Sequence, residues 1–232
     1  MCRMYIDKTD HQSMQAYAKH LGDLFGYDAC VPPKPWRIAT TDTARVLRRL
    51  RSGSDAGFGV ALMRWGLVPP WAKELKFGVQ CVNARAESVA EKPAFRDAFQ
   101  ARRCLVPASC WVEWREEGGI KQPYRLEQGN GAPLLFAGLW ERWRPRDGGD
   151  WVETFAILTG EPNAYAAQVH DRSPVVLDPD HVAAWCDAPP AAARQLLKPY
   201  GGTLVARPIH RDIGSSKQAT AEAIEAIGPA LA

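Results

Sequence analysis

Between residues 44 and 158 the chain reads as a succession of short strands, and helical periodicity is confined to the stretches on either side. Strand-like runs occupy 44–50, 58–65, 104–106, 111–115, 124–127, 134–143 and 151–158, and a further run at 203–209 closes the pattern. The Gly129-Asn130-Gly131 turn predicts that 124–127 and 134–143 pair as a hairpin. Helical spacing is found at Met14, Tyr17, Ala18, Leu21, Leu24 and Phe25, behind the capping-box pair Thr9 and Gln12, and runs to Gly26. It returns at 163–169, at Asp178-Pro179, where Asp precedes Pro at a helix start, and at 191–197. Strands and helices that do not alternate regularly exclude a doubly wound sheet. The expected fold is α+β, a single domain over residues 1–232, with 219–232 as a peripheral helix or tail.

At 46% apolar residues, a chain of 232 can bury a substantial core. It holds no stretch near the ~18 uninterrupted apolar residues of a membrane span, and its start lacks an apolar signal core, so a soluble, cytoplasmic protein is expected. The six cysteines, Cys2, Cys30, Cys81, Cys104, Cys110 and Cys186, form no C-x-x-C pair. Such scatter suits reduced thiols and neither a disulfide framework nor a structural zinc site, and no metal or cofactor is expected.

A net charge of +3 does not by itself imply a nucleic-acid partner. Arg45, Arg48, Arg49, Arg51 and Arg64 crowd one region, and nine tryptophans are spread along the chain. Aromatic planes near arginines suit single-stranded nucleic acid, and equally a Trp-rich core with a basic rim. The Gly66-Leu67-Val68-Pro69-Pro70-Trp71 turn is expected to expose its tryptophan.

Cys2 follows the initiator Met1 directly. Removing Met1 leaves an α-amine and a thiol as a 1,2-aminothiol. With pKa values near ~7.7–8.0 and ~8.5, both groups have a sizeable nucleophilic fraction at neutral pH. Such an amine condenses with an aldehyde, and the thiol closes the imine into a thiazolidine.

Three segments carry polar residues that a β-core does not need: Val82-Asn83-Ala84-Arg85-Ala86-Glu87-Ser88, then Arg103-Cys104-Leu105-Val106-Pro107-Ala108 continuing to Trp111-Val112-Glu113-Trp114, and Val169-His170-Asp171-Arg172-Ser173-Pro174. Together with Cys2 and the Arg64-Trp65-Gly66-Leu67-Val68-Pro69-Pro70-Trp71 loop, they resemble, in order, the SOS response-associated peptidase family. The resemblance implies an α+β pseudo-barrel, mainly antiparallel, with peripheral helices and a basic groove. It also implies a thiazolidine cross-link between the N-terminal cysteine and the ring-opened aldehyde of an abasic site in single-stranded DNA. The peptidase name reflects removal of the residue before that cysteine, proposed to be autoproteolytic.

The positions matching the family's site are Cys2, Asn83, Glu113 and His170. Expelling the carbinolamine hydroxyl needs a proton shuttle, and a Glu flanked by Trp111 and Trp114 gains a raised pKa from an apolar setting. An imidazole at His170 can protonate the sugar ring oxygen or assist imine formation and reversal. Asn83 suits orienting the amine or the sugar, or capping a turn. Arg85 and Arg172 match DNA-backbone contacts, or are salt-bridged surface arginines, and Glu87 looks like a structural partner for an arginine. Trp65 and Trp71 offer stacking faces held by Pro69 and Pro70, with burial in the barrel wall as the other reading, above all for Trp65.

Departures from the family pattern lie at Arg3-Met4, where many members have Gly-Arg, and at Ser109-Cys110, which puts an extra thiol close to the expected site. The one-residue shift turns Arg3 to the opposite face of an extended segment, and Arg3 stays among the expected DNA contacts. A stoichiometric lesion cap is expected to be a monomer. Two other activities fit the same residues: an N-terminal-nucleophile peptidase or amidohydrolase with Cys2 and His170, and a non-covalent binder of damaged DNA.

Overall fold

A computed structural model of the protein describes residues 2–17, 24–33, 36–50, 57–215, 217 and 219–231. Its architecture follows from strands buried on both faces. Every residue of β7 (Arg103–Ala108) is buried, as is every residue from Leu134 to Leu139 in β10 (Leu134–Trp143). Alternation sends Cys104, Val106, Leu134 and Phe136 into one apolar cluster and Leu105, Leu135, Ala137 and Leu139 into another.

The larger sheet runs β12 (Ser173–Pro174), β11 (Val152–Gly160), β10, β7, β4 (Thr43–Arg49), β5 (Phe58–Trp65) and β2 (Leu24–Phe25). β11 also pairs in parallel with β5, through Thr154 with Arg64 and Phe155 with Trp65. That seam closes β11, β10, β7, β4 and β5 into a mixed barrel and removes their open edges. The fold is α+β, as expected.

The smaller sheet orders β13 (Leu204–Pro208), β9 (Ile120–Gln128), β8 (Cys110–Glu117), β1 (Met4–Ile6) and β3 (Ile38–Ala39). One face lays Tyr5, Trp111, Tyr124 and Leu126 into the cluster shared with the barrel. The other face, Met4, Ile6, Cys110 and Val112, is covered by Ile209, Ile213, Ala223 and Ile224. The C-terminal stretch is therefore docked, through a 3-10 turn at Ala221–Ile224 and a hydrogen bond from Leu231 N to Ala206 O of 2.9 Å.

Four helices are present among the described residues: α1 (His11–Tyr17), α2 (Arg96–Ala101), α3 (Val182–Asp187) and α4 (Pro190–Arg194). Buried Arg103 ties two of them to β7. Its Nη1 donates to Phe99 O at 2.7 Å, its Nε to Trp185 O at 2.5 Å and its Nη2 to Ala188 O, satisfying carbonyls at the ends of α2 and α3. Asp178 caps the turn before α3 by accepting from Asp180 N, which matches the sequence signal.

Two expectations fail. The 124–143 hairpin does not form, because β9 pairs with β8 and β13 while β10 pairs with β7 and β11. The Gly129–Gly131 turn instead carries the chain from one sheet to the other, and the tight hairpin is β8–β9, turned by Gly118 and Gly119 at φ of 56° and 80°. The first helix also does not run to Gly26: Leu24 and Phe25 form a strand beside Phe58 and Gly59, and residues 18–23 lie outside the described residues. Its N-terminal box is Asp10 with Ser13, each backbone N–H donating to the other's side chain, one residue beyond the predicted pair.

Candidate active site

A buried ionic latch fixes the N-terminal strand against the barrel. Asp7, fully buried between β1 and α1, accepts from Arg45 Nε of β4 at 2.8 Å and from the Thr9 backbone N–H at 3.1 Å. Arg45 Nη2 also donates to Thr9 O at 2.9 Å, and its guanidinium lies 4.5 Å from the Tyr27 ring centroid. Burial lifts the Asp7 carboxyl above its ordinary range even though Arg45 pulls the other way.

The latch leads the chain back to Cys2, whose side chain is 0% exposed in the polypeptide that still carries Met1. Its Sγ points to Met4 O at 3.8 Å. Burial, reinforced by the charge of Glu113, pushes the thiol well above its usual range. The family resemblance calls for an exposed cysteine, and here it is buried. Asn83 Nδ2 donates to Cys2 O at 2.7 Å. Asn83 opens β6 (Asn83–Arg85), which lies parallel to β11 with Asn83 opposite Ile157. Its buried Oδ1 makes no hydrogen bond among the described residues.

Glu113 reaches this place by the alternation of β8. Trp111 and Glu113 turn to the barrel side, whereas Cys110, Val112 and Trp114 face the C-terminal stretch. Cys110 is therefore on the opposite face from the site, which corrects its expected proximity. Glu113 is 3% exposed, and burial raises its carboxyl to about 7.

The His170 segment meets the same corner from the other side of β11. Thr159 is flanked by Arg85 of β6 and Pro174 of β12, and Val169 and Ala166 belong to the cluster that holds Cys2. Asp171 acts electrostatically on Glu113, which puts the two segments within reach. His170 Nδ1 lies 3.0 Å from the Arg172 N–H and 2.7 Å from the Asp171 carboxylate. It accepts from the amide when neutral and donates to the carboxylate when protonated, never both. Burial lowers the imidazole pKa, which favours the neutral ring. Thr159 Oγ1, wholly buried at this corner, has no hydrogen-bond partner among the described residues.

An open cleft of about 930 Å³ adjoins this corner, lined by Arg3, Trp71, Lys73, Lys76, Phe77 and Val79. Trp71 is 48% exposed, with Phe77 edge-on at 5.0 Å. Trp65 is instead fully buried, its Nε1 donating to Val82 O at 2.8 Å, so it is barrel wall and not a stacking face. Pro69 is likewise buried and shapes the loop from within. Arg85 is exposed, while Arg172 forms a bidentate pair with Glu87 at 2.6 and 3.1 Å and donates to Thr159 O.

The crowd of arginines on β4 does not form a basic rim. Arg45 is in the latch, Arg48 pairs with Glu153 and Arg49 with Asp187, and Arg51 lies outside the described residues. Sequence reading missed the latch because nothing local distinguishes Arg45 from its neighbours. It also missed Thr41, a β-branched residue at φ 76° whose N–H donates to Trp65 O, in the turn where Thr40 N donates to Arg3 O. Among the described residues no cluster of His, Cys, Asp or Glu could hold a metal ion, and no helix is long and apolar enough to cross a membrane.

The arrangement has counterparts in known proteins. The sequence profile of the family described as SOS response associated peptidase (SRAP) matches residues 1–216. The abasic site processing protein YoaM of Bacillus subtilis is 37% identical over 88% of this chain and 92% of its own. The abasic site processing protein YedK of Escherichia coli is 29% identical over 93% and 96%. Among solved structures, a Bordetella bronchiseptica protein superposes with a TM-score of 0.76 at 26% identity, over 90% of this chain and 99% of that one. A Bacteroides thetaiotaomicron protein shares the fold, with a TM-score of 0.79 at 24% identity over 97% and 100%. The chain belongs to the SOS response-associated peptidase family.

Proposed function

We propose that this protein processes abasic sites by coupling Cys2, once Met1 has been removed, to the aldehyde of the ring-opened lesion in single-stranded DNA. The observation that carries this reading is the Asn83 hydrogen bond of 2.7 Å to the Cys2 carbonyl, which fixes residue 2 beside a buried carboxyl raised to about 7. The relatives named abasic site processing proteins support the substrate class.

The chemistry is balanced without a cofactor. The α-amine of Cys2 adds to the aldehyde carbon, and the carbinolamine loses its hydroxyl as water when Glu113 supplies a proton. The thiol then adds to the imine carbon, and its proton ends on the new ring nitrogen. One water is released in all. A carboxyl near neutrality can both give and recover a proton at working pH, which is the requirement for both steps. The thiol starts protonated and buried, so the amine acts first and sulfur closes the ring. His170 in its imidazolium form is suited to protonating the sugar ring oxygen as the lesion opens. The Glu113 carboxyl would also assist hydrolysis of the Met1–Cys2 bond. Trp71 offers a flanking base its exposed face, worth about 1–3 kcal/mol per base.

A cysteine-peptidase reading fares worse. That mechanism needs a thiolate favoured by a neighbouring base, whereas the Cys2 thiol is pushed up and its hydrogen bond goes to Met4 O.

The test is a denaturing gel and intact mass of protein beginning at Cys2, mixed with a single-stranded oligonucleotide carrying one abasic site. A denaturation-resistant adduct, lighter by one water than the sum of its parts, is expected. Adduct formation by Cys2→Ala at the same rate would exclude the proposal, as would none by the Cys2-initiated protein.

A further inference from the structure

Two of the nine tryptophans are about half exposed, Trp71 at 48% and Trp151 at 55%. They sit on segments that are tied together. Trp143, the last residue of β10, donates its Nε1 to Ala72 O at 2.9 Å, and Arg146 Nη2 reaches Trp71 O at 3.5 Å. Residues 144–151, which join β10 to β11, thus continue the surface that begins at the Trp71 cleft.

The loop is built and not slack. Arg144 Nε donates to Gly149 O at 2.8 Å, and Gly148 and Gly149 take φ of 98° and 120° to close the turn. Two guanidiniums lie near the Trp151 ring, Arg142 at 4.9 Å and Arg144 at 5.9 Å from its centroid. An arginine lying against an aromatic ring keeps its remaining N–H donors free at the edges of the guanidinium plane, where a phosphate can meet them. The arrangement suits a flexible strand that offers bases to Trp151 and phosphates to the arginines. Asp147 and Asp150 on the same loop offset two charges, and Glu153 lies 3.9 Å from Arg142 Nε. The surface is therefore a stacking platform with a few phosphate contacts, not a general basic patch.

We propose that Arg142, Arg144 and Trp151 form a second contact for single-stranded nucleic acid, receiving the strand as it leaves the Trp71 cleft. This rests on the abasic-site reading and adds a length requirement to it. A strand that reaches only the cleft gains nothing from the loop, and a longer one gains both contacts.

The test uses the full chain and lesion-free single-stranded oligonucleotides, one of about 4–6 nucleotides and one of about 16–20, spanning the range of small single-strand sites. Affinities are measured by fluorescence anisotropy at several salt concentrations. Trp151→Ala is expected to lower the ratio of long-strand to short-strand affinity about 5- to 150-fold, the loss of one stacked base, with Trp151→Phe restoring most of it. The double change Arg142→Gln with Arg144→Gln is expected to flatten the log–log salt slope for the long strand by about 1.4, two phosphates at ~0.7 each. An unchanged ratio overturns the second contact, and so does an equal loss on both lengths, which marks a disturbed loop. If the wild-type protein binds neither strand and forms no adduct with abasic DNA, the parent reading fails as well.

Discussion

Asp7 and Glu113 are both carboxylates buried near the N-terminal strand, 0% and 3% exposed, and both are pushed up by burial. Asp7 is held by Arg45 at 2.8 Å and by Thr9, in a net that ties the link between β1 and α1 to β4. Glu113 stands next to a thiol and among Trp111 and Tyr124, and its carboxyl settles at about 7. A buried carboxylate with its own guanidinium is a fastening. Glu113, near neutrality on β8, the strand that pairs directly with β1, is the carboxyl that the proposed coupling would use.

The largest expected effect tests the fastening. Arg45→Met leaves Asp7 buried without its cation and is expected to cost about 3–5 kcal/mol of stability, read as a lower urea midpoint. Adding Asp7→Asn should recover much of this, because replacing a buried pair costs far less than breaking it. If Arg45→Met instead left stability untouched while abolishing adduct formation, Asp7 would belong with the chemistry and the contrast would be misdrawn.

Glu113→Gln is next, and its sign is opposite. The folded pKa of about 7 lies above the ordinary 4.5, so the folded state binds more protons between those values. The stabilising contribution is full below 4.5 and is lost as pH rises through about 7, on the order of 3 kcal/mol in total. A Gln does not titrate. Wild type should thus lose stability relative to Glu113→Gln between pH 5 and 8, in denaturant titrations at each pH. Coupling to abasic DNA should slow by about 10²–10⁴-fold in the variant. A stability difference that stays flat with pH would make Glu113 an ordinary solvated acid.

Much of this was legible in the sequence, and what was not has a physical reason. β5 falls on residues 58–65 as expected, because a strand bounded by Gly57 and Gly66 declares itself locally. Glu113 stood out only through the family resemblance; of its two flanking tryptophans Trp111 shares its face and Trp114 does not. The partner of β9 was not legible, since Gly129 and Gly131 specify a turn and say nothing about which sheet the next strand joins. Trp65 illustrates the same limit. Its place in the wall is set by the β5–β11 seam, a pairing across about ninety residues that no local pattern encodes. Arg45 and Arg48 read alike in sequence, yet one is buried against Asp7 and the other is half-buried against Glu153.

The smallest effect belongs to a third carboxylate, Glu87, which completes the contrast from the solvent side. Its side chain is 52% exposed, and it meets Arg172 with two bonds of 2.6 and 3.1 Å. Those bonds hold the carboxyl below its ordinary range. A lowered pKa contributes stability that is present above 4.5 and is lost as pH falls through the folded value, the reverse of Glu113. Exposure screens the pair, so Glu87→Gln is expected to cost under about 1 kcal/mol at pH 7, and less as pH falls through the folded value. Arg172 keeps its bond to Thr159 O in the variant, so the His170 segment stays in place and adduct yield should change less than twofold. A loss of several kcal/mol, or a collapse of coupling, would show that this pair supports the His170 segment as Arg45 supports β1. Burial would then not be what separates a fastening from a rim contact in this protein.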